Sequence, residues 1–266
     1  MGKIRVAVAG AAGRMGREVV KAVLSQDDMT LVTAIDLCHI GEDAGVLAGF
    51  GHTGIAVQPD FTQALIETQA QVVVDFTVPG VAIEHIGQAV GQGVAAVVGT
   101  TGINAEALSE IAALAAEHDG KVMIAPNFAL GAVLMMHFAS IAAKFCPRAE
   151  IIELHHDAKL DAPSGTAVKT AEMILATRGE SAEDRKSEEK LTGARGAQLE
   201  GIHIHSIRLP GLVAHQEVLF GLDGQVLSIR HDSFARSSFM PGVLLAVREV
   251  LSRPGVTYGL ERLLGL

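Results

Sequence analysis

The chain has no tryptophan, one tyrosine and only 4% aromatic residues across 266 positions. Single-stranded nucleic-acid platforms stack bases on aromatic side chains, so that class has little to build on. Basic charge is also scarce: 21 Lys and Arg stand against 30 Asp and Glu, a formal net charge of -9. A phosphate-tracking surface needs a basic stripe, and none is visible. The two cysteines, Cys38 and Cys146, lie far apart without metal-ligand spacing, which predicts reduced thiols in a cytoplasmic protein. No run approaches ~20 apolar residues free of charge, so no membrane-spanning helix is expected. The opening residues, MGKIRVAVAG, enter a strand-like pattern at once, so no signal-peptide stretch is expected there.

What is present is a compact globule, 49% hydrophobic and 19% charged. At roughly 150 residues per domain the length predicts one large domain or two modest ones, needing neither disulfide nor structural metal. Short apolar runs at Lys3–Ala9, Thr30–Ile35, Gln71–Phe76, Val94–Val98 and Lys121–Ala125 read as buried strands. Helical patterns at Arg14–Ser25, Ala82–Val90 and Ala105–Glu117 lie between them. Strands alternating with helices predict an α/β fold, a doubly wound parallel sheet covered on both faces. Gly41–Pro59 carries five glycines and reads as a loop with at most a short strand.

Beyond Pro126–Asn127 the pattern changes. A long apolar helix at Leu130–Phe145 leads to a strand at Ala149–His155, a loop at Asp157–Gly165 and a helix at Thr166–Thr177. Residues 178–190 hold nine charges of both signs in thirteen positions and read as a solvated loop. Strands at Gly201–Leu209, Leu212–Phe220 and Gln225–His231 follow. Pro210–Gly211 and Asp223–Gly224 mark tight turns that predict antiparallel strands, an α+β second domain with a mainly antiparallel sheet. A last amphipathic helix is expected at Pro241–Leu251.

The first strand-to-helix turn reads Gly10-Ala11-Ala12-Gly13-Arg14-Met15-Gly16. Glycines there let the backbone turn sharply and approach a pyrophosphate, whose oxygens would meet unpaired N–H groups of the helix. The spacing is GxxGxxG, with Ala11 where a glycine is usual. Asp36 ends the second strand twenty residues after Gly16, where a carboxylate accepts from ribose hydroxyls. Leu37 and Cys38 stand where a 2′-phosphate would want Arg, which leans toward NADH over NADPH, although Arg14 or Lys21 could supply charge. Asp75-Phe76-Thr77, Gly99-Thr100-Thr101-Gly102 and Ala125-Pro126-Asn127-Phe128 end three more strands, on the edge where open α/β sheets bind ligands.

The densest polar segment runs from Glu153 to Thr166: ELHHDAKLDAPSGT. Ser164-Gly165-Thr166 opens a helix with N–H and hydroxyl donors, and Lys159 adds a point charge, so a carboxylate-bearing ligand fits. His155, His156, Asp157 and Asp161 are competent metal ligands, but their spacing matches no zinc pattern and no metal is expected. An N-cap with a solvated Lys and surface histidines is the plain structural alternative.

This segment resembles the signature of the dihydrodipicolinate reductases, as do Val8–Gly16, Asp75–Thr77, Gly99–Gly102 and His205–Gly211. The resemblance implies a Rossmann domain at 1–126 and 236–266. It implies a substrate and oligomerisation domain at 127–235, with the hinge crossed near Asn127–Phe128 and Phe234–Arg236, and a homotetramer. The implied reaction is NAD(P)H-dependent reduction of 4-hydroxy-tetrahydrodipicolinate to tetrahydrodipicolinate with loss of water, in the diaminopimelate route to lysine. By the same resemblance His155 is the acid/base and Lys159 assists proton transfer and holds substrate. His156, Ser164, Gly165 and Thr166 then match substrate contacts. Gly10, Ala11, Ala12, Gly13, Arg14, Met15, Asp36, Gly99, Thr100, Thr101, Ala125, Pro126, Asn127 and Phe128 match cofactor contacts. Leu37, where some members carry Arg, departs from the pattern and bears on NADPH use. The competing readings are another NAD(P)H-dependent reductase of a small dicarboxylate and a dinucleotide sensor without turnover. A proton donor in the His-His-x-x-Lys segment is of no use to a sensor.

Overall fold

The computed structural model describes residues 2–179 and 188–266. These divide into two compact units, Met1–Ala129 with Phe239–Leu266 and Leu130–Ser238. Most of the charged stretch expected as a solvated loop at 178–190 lies outside the described residues. Among the described residues no helix is long and apolar enough to cross a membrane.

The first unit is built on β1 (Ile4–Ala9), α1 (Arg14–Leu24), β2 (Met29–Ile35), α2 (Ala44–Leu47), β3 (Val57–Gln58), α3 (Phe61–Thr68) and β4 (Val72–Asp75). It continues through α4 (Pro79–Gly91), β5 (Ala95–Val98), α5 (Ala105–Glu117) and β6 (Lys121–Ile124). The seven-stranded sheet has the order β12-β6-β5-β4-β1-β2-β3, β12 being Gly255–Tyr258 near the C-terminus. Every pairing in it is parallel. Strand residues such as Val8, Val74 and Val97 are fully buried, as a sheet with helices on both faces requires. Chain order reverses between β1 and β4, and open α/β sheets bind ligands in the crevice outside the carboxyl ends at such a switch point.

The region expected as a loop at Gly41–Pro59 contains the short α2. Asp43 caps it by accepting from Val46 N, and also accepts from Thr53 and Gly54 N–H groups. Those bonds hold its carboxyl down at about 2 although burial opposes them.

The second unit comprises α6 (Leu130–Ala143), β7 (Arg148–His155), α7 (Gly165–Thr177), β8 (Ala197–Leu199), β9 (Ile202–Arg208), β10 (Ala214–Leu222) and β11 (Gln225–Ser233). Its sheet has the order β11-β10-β7-β9-β8. The pairs β10–β11, β10–β7 and β8–β9 are antiparallel, whereas β7–β9 is parallel. The turn at Pro210–Gly211 therefore does not close a hairpin. β9 and β10 run in opposite directions, with β7 inserted between them. One face of this sheet packs Ile151, Ile202, Ile204, Val218 and Phe220 against Ala139, Ala143, Ala167, Ala171 and Ile174 of α6 and α7. By strand alternation and register the other face carries Glu150, Ile152 and Leu154, with His205, Ile207, Glu217, Leu219 and Arg230 beside them. The chain then returns to the first unit, where α8 (Met240–Val250) precedes β12 and α9 (Glu261–Leu264).

Candidate active site

In the first unit the turn after β1 is shaped by two glycines. Gly10 has φ of +72°, and a Cβ on Gly16 would lie 1.9 Å from the Gly10 carbonyl oxygen. The helix behind the turn starts without help: Gly13 at the N-cap gives α1 no side-chain hydrogen bond, and its first turn holds no acidic residue. By contrast Asp60 caps α3 and Asn104 caps α5. The first N–H groups of α1 thus stay open toward an anion. Ala11 and Ala12 are buried, Met15 is half-buried and Arg14 is exposed.

Asp36 follows β2 as expected, and its carboxylate is oriented from both sides. Oδ2 accepts from Ala12 N at 2.9 Å and Oδ1 from Cys38 N at 2.9 Å. Leu37 beside it is 80% exposed.

Across the switch point, Asp75 is buried at the end of β4. It accepts from Thr77 N at 2.8 Å, Thr77 Oγ1 at 2.6 Å and His85 Nδ1 at 2.6 Å, and the His85 ring stacks on Phe61 at 3.8 Å. Thr77 and Phe76 thereby press against Gly10, whose missing Cβ would lie 3.1 Å from Phe76 O. A Cβ on Gly99 would enter the Phe76 ring at 2.2 Å, and Thr100 Oγ1 donates to Thr77 O at 3.2 Å. Thr101 and Pro126 are exposed, and Ala125 N donates to Val98 O at 3.0 Å. Asn127 Oδ1 accepts from Ala129 N at 2.9 Å, and the buried Phe128 ring meets Phe76 at 5.9 Å. The structure thus gathers Gly10–Met15, Asp36, Gly99–Thr101 and Ala125–Phe128 along one edge of the parallel sheet. A glycine turn too tight for a Cβ at Gly16, an uncapped helix start and an oriented carboxylate fit a dinucleotide.

In the second unit Glu153 is fully buried on β7 and shares a face with His155. Its Oε2 accepts from His155 Nδ1 at 2.5 Å and from Arg208 Nη1 at 2.8 Å. Its Oε1 accepts from Arg208 Nη2 at 2.7 Å and from Ser164 N at 3.2 Å. Arg208 Nη2 also donates to Asp161 O, and Lys159 Nζ donates to Asp161 Oδ1, each at 2.8 Å. These bonds tie His155, Lys159 and the start of α7 into one cluster. Ser164 is buried as the N-cap, its Oγ accepting from Ala167 N at 3.2 Å. Gly165 at the helix start is exposed and Thr166 half-buried, so the first N–H groups of α7 open outward. His156 is exposed just past the end of β7. Burial pushes the His155 imidazole below its usual value, Lys159 and Arg208 add to this, and Glu153 opposes it. Glu153 stays below the usual carboxylate range: burial works against this, but the bonds from Arg208, Ser206 and His155 outweigh it. Among the described residues no three His, Cys, Asp or Glu side chains gather as a metal set.

Sequence reasoning assigned no role to Glu153 or Arg208, nor to His85. The Glu153–Arg208 pair spans 55 residues and depends on the β7–β9 register, which sets His155 opposite Arg208. A signal was present for Glu153, two residues before His155 on an alternating strand.

The family model for the N-terminus of dihydrodipicolinate reductase matches residues 4–128, and that for its C-terminus matches residues 131–264. A 4-hydroxy-tetrahydrodipicolinate reductase of Moorella thermoacetica is 51% identical over 98% of each chain. One of Syntrophomonas wolfei is 49% identical over 98% of this chain and 99% of its own. A dipicolinate-bound dihydrodipicolinate reductase from a Paenisporosarcina species superposes with a TM-score of 0.87 at 44% identity, covering 98% of this chain and 99% of that one. With both halves matched and half of all residues shared, the chain belongs to the dihydrodipicolinate reductase family.

Proposed function

We propose that the protein reduces 4-hydroxy-tetrahydrodipicolinate to tetrahydrodipicolinate, with loss of water, in the diaminopimelate route to lysine. The observation that carries the reading is the cluster around His155: an imidazole backed by a buried carboxylate, with Lys159 and the open start of α7 tied to it. One hydride and one proton enter the ring system for each water lost. Reduced nicotinamide, when bound, supplies the hydride. His155 handles the proton, for which an imidazole is suited near neutrality. Lys159 and the N–H groups of Gly165 and Thr166 hold the two carboxylates, with His156 at the rim, and Ser164 keeps that helix end in place. Fixed orientation of this kind is a large part of the rate gain.

The dinucleotide belongs to the first unit and the substrate to the second. Gly10–Met15 face the pyrophosphate, Asp36 the adenosine ribose, and Gly99–Thr101 with Ala125–Phe128 the nicotinamide end. NADH is the preferred cofactor over NADPH: the oriented Asp36 carboxylate favours a ribose diol over a 2′-phosphate, and Leu37 beside it offers no charge. The enzyme acts in the cytoplasm, in keeping with two free cysteines, one of them exposed. It assembles as a homotetramer through the sheet face that carries Ile152, Leu154, Ile207 and Leu219. The test is a reductase assay with substrate generated from pyruvate and aspartate semialdehyde by a purified synthase, run with NADH and NADPH separately. Rapid loss of reduced-nicotinamide absorbance, faster with NADH, is expected. No loss with intact cofactor binding overturns the reading.

A further inference from the structure

We infer that Glu153 is a positioning residue for His155: held in place by Arg208, it accepts the Nδ1 proton and leaves Nε2 as the ring atom that meets substrate. The inference rests on the functional reading above and deepens it. An imidazole has two neutral tautomers, and only a fixed partner on one nitrogen decides which nitrogen can exchange a proton. On β7 the two side chains lie two residues apart on the same face, so Glu153 reaches the ring from the strand side. The register sets Arg208 of β9 directly opposite His155, and its guanidinium reaches back to both oxygens of Glu153.

The carboxylate accepts from Arg208 twice, Ser164 N and His155 Nδ1, and Ser206 hydrogen-bonds it as well, so its acceptor sites are all engaged. With no lone pair to spare and no exposure to water, this carboxylate stays ionised and cannot swing away from the ring. An anion at Nδ1 favours the imidazolium that donates a proton, and it holds the ring in the Nδ1–H form once the proton has left through Nε2. The other charged groups near the ring are Lys159 and Asp161 of the following loop, His156 next in the chain and Arg208 of β9. The neighbouring residue of β10 is Ala214, which carries no charge. Among the described residues Glu153 is therefore the one carboxylate bonded to the ring, since Asp161 is taken by Lys159.

The test uses the full-length protein with Glu153→Gln. Nitrogen NMR of the His155 ring, without any ligand, reads its tautomer and proton affinity. We expect loss of the fixed Nδ1–H form and a fall in ring pKa of about 1 unit. In the reductase assay kcat falls about 10²-fold, its alkaline limb moves to lower pH, and KM for the dinucleotide stays within about twofold. Because Glu153→Gln strands Arg208, the double variant Glu153→Gln/Arg208→Gln removes both charges, and it must show the same loss and the same ring behaviour. An unchanged His155 titration, or a folded double variant with near-normal kcat, overturns the inference and leaves Glu153 a structural anchor. If the wild type lacks reductase activity, the functional reading fails, and the NMR arm alone still decides whether Glu153 sets the ring.

Discussion

His155 sits at the last position of β7, where the strand's backbone is still paired and its side chain keeps 16% exposure. That location gives a ring that is anchored on one side and accessible on the other. His155→Ala removes the proton donor without opening the core, because Ile151 and Glu153 carry the buried face. Turnover should drop about 10²- to 10⁴-fold, with dinucleotide affinity unchanged in a direct binding titration. Turnover within twofold of wild type would remove His155 from the chemistry. Lys159 differs, since its partner Asp161 has a side chain 62% exposed and the pair contributes about 0–1 kcal/mol to stability. Lys159→Met should therefore leave the melting temperature in place while raising KM for the substrate and lowering kcat. An unchanged kcat/KM would show that the charge touches neither substrate nor proton.

At the level of elements, what was legible in the sequence was what physics makes local. β1, β4 and β5 are short apolar runs bounded by glycine or polar residues, and β-branched residues in such runs have little else to be. The turn at Gly10–Gly16 was readable for the same reason: no other residue fits where a Cβ meets a carbonyl. What escaped was set by distant partners. α3 is only eight residues long, and its signal is an Asp60 cap rather than a long periodic stripe. β12 is a half-buried edge strand fixed by pairing with β6. The order β10-β7-β9 cannot be inferred from Pro210–Gly211, because the turn reports a reversal and not which strand lies alongside. The role of Glu153 escaped with it, since that role exists only once β9 lies beside β7. The glycine turn also yields the prediction proper to this scale. Gly16→Ala places a methyl 1.9 Å from Gly10 O, against backbone rather than a flexible side chain, so either α1 or the turn must move. A cost of about 1–3 kcal/mol is expected from such overpacking, read as a lower melting temperature. Dinucleotide affinity should fall at least tenfold while the ring titration of His155 in the second unit is unaffected. Normal affinity would mean that this turn does not carry the pyrophosphate.

For the whole molecule the question is what the second sheet does with its two faces. One is spent on α6 and α7, whose alanines at 139, 143, 167 and 171 let the helices approach closely. The other mixes apolar and charged groups. Leu154 pairs with Ile207, Ile152 lies beside them, and ion pairs from Glu150 to Arg195 and His205, and from Arg230 to Glu217 and Asp232, flank them. Aliphatic side chains interleaved with paired charges suit a surface that meets its own copy, where each satisfied pair can be covered without stranding a charge. Leu219 tests this, because it stands across from Glu150 on β7 and Ser228 on β11. Leu219→Arg gives the new guanidinium a carboxylate within its own chain, so the fold should survive with an unchanged circular dichroism spectrum. In an assembly the same residue loses about 1.5–3 kcal/mol of apolar burial per copy and gains a buried charge. Sedimentation should then show the wild type as a tetramer and the variant as smaller species. A variant that sediments with the wild type would place the subunit contacts elsewhere and leave this face to solvent.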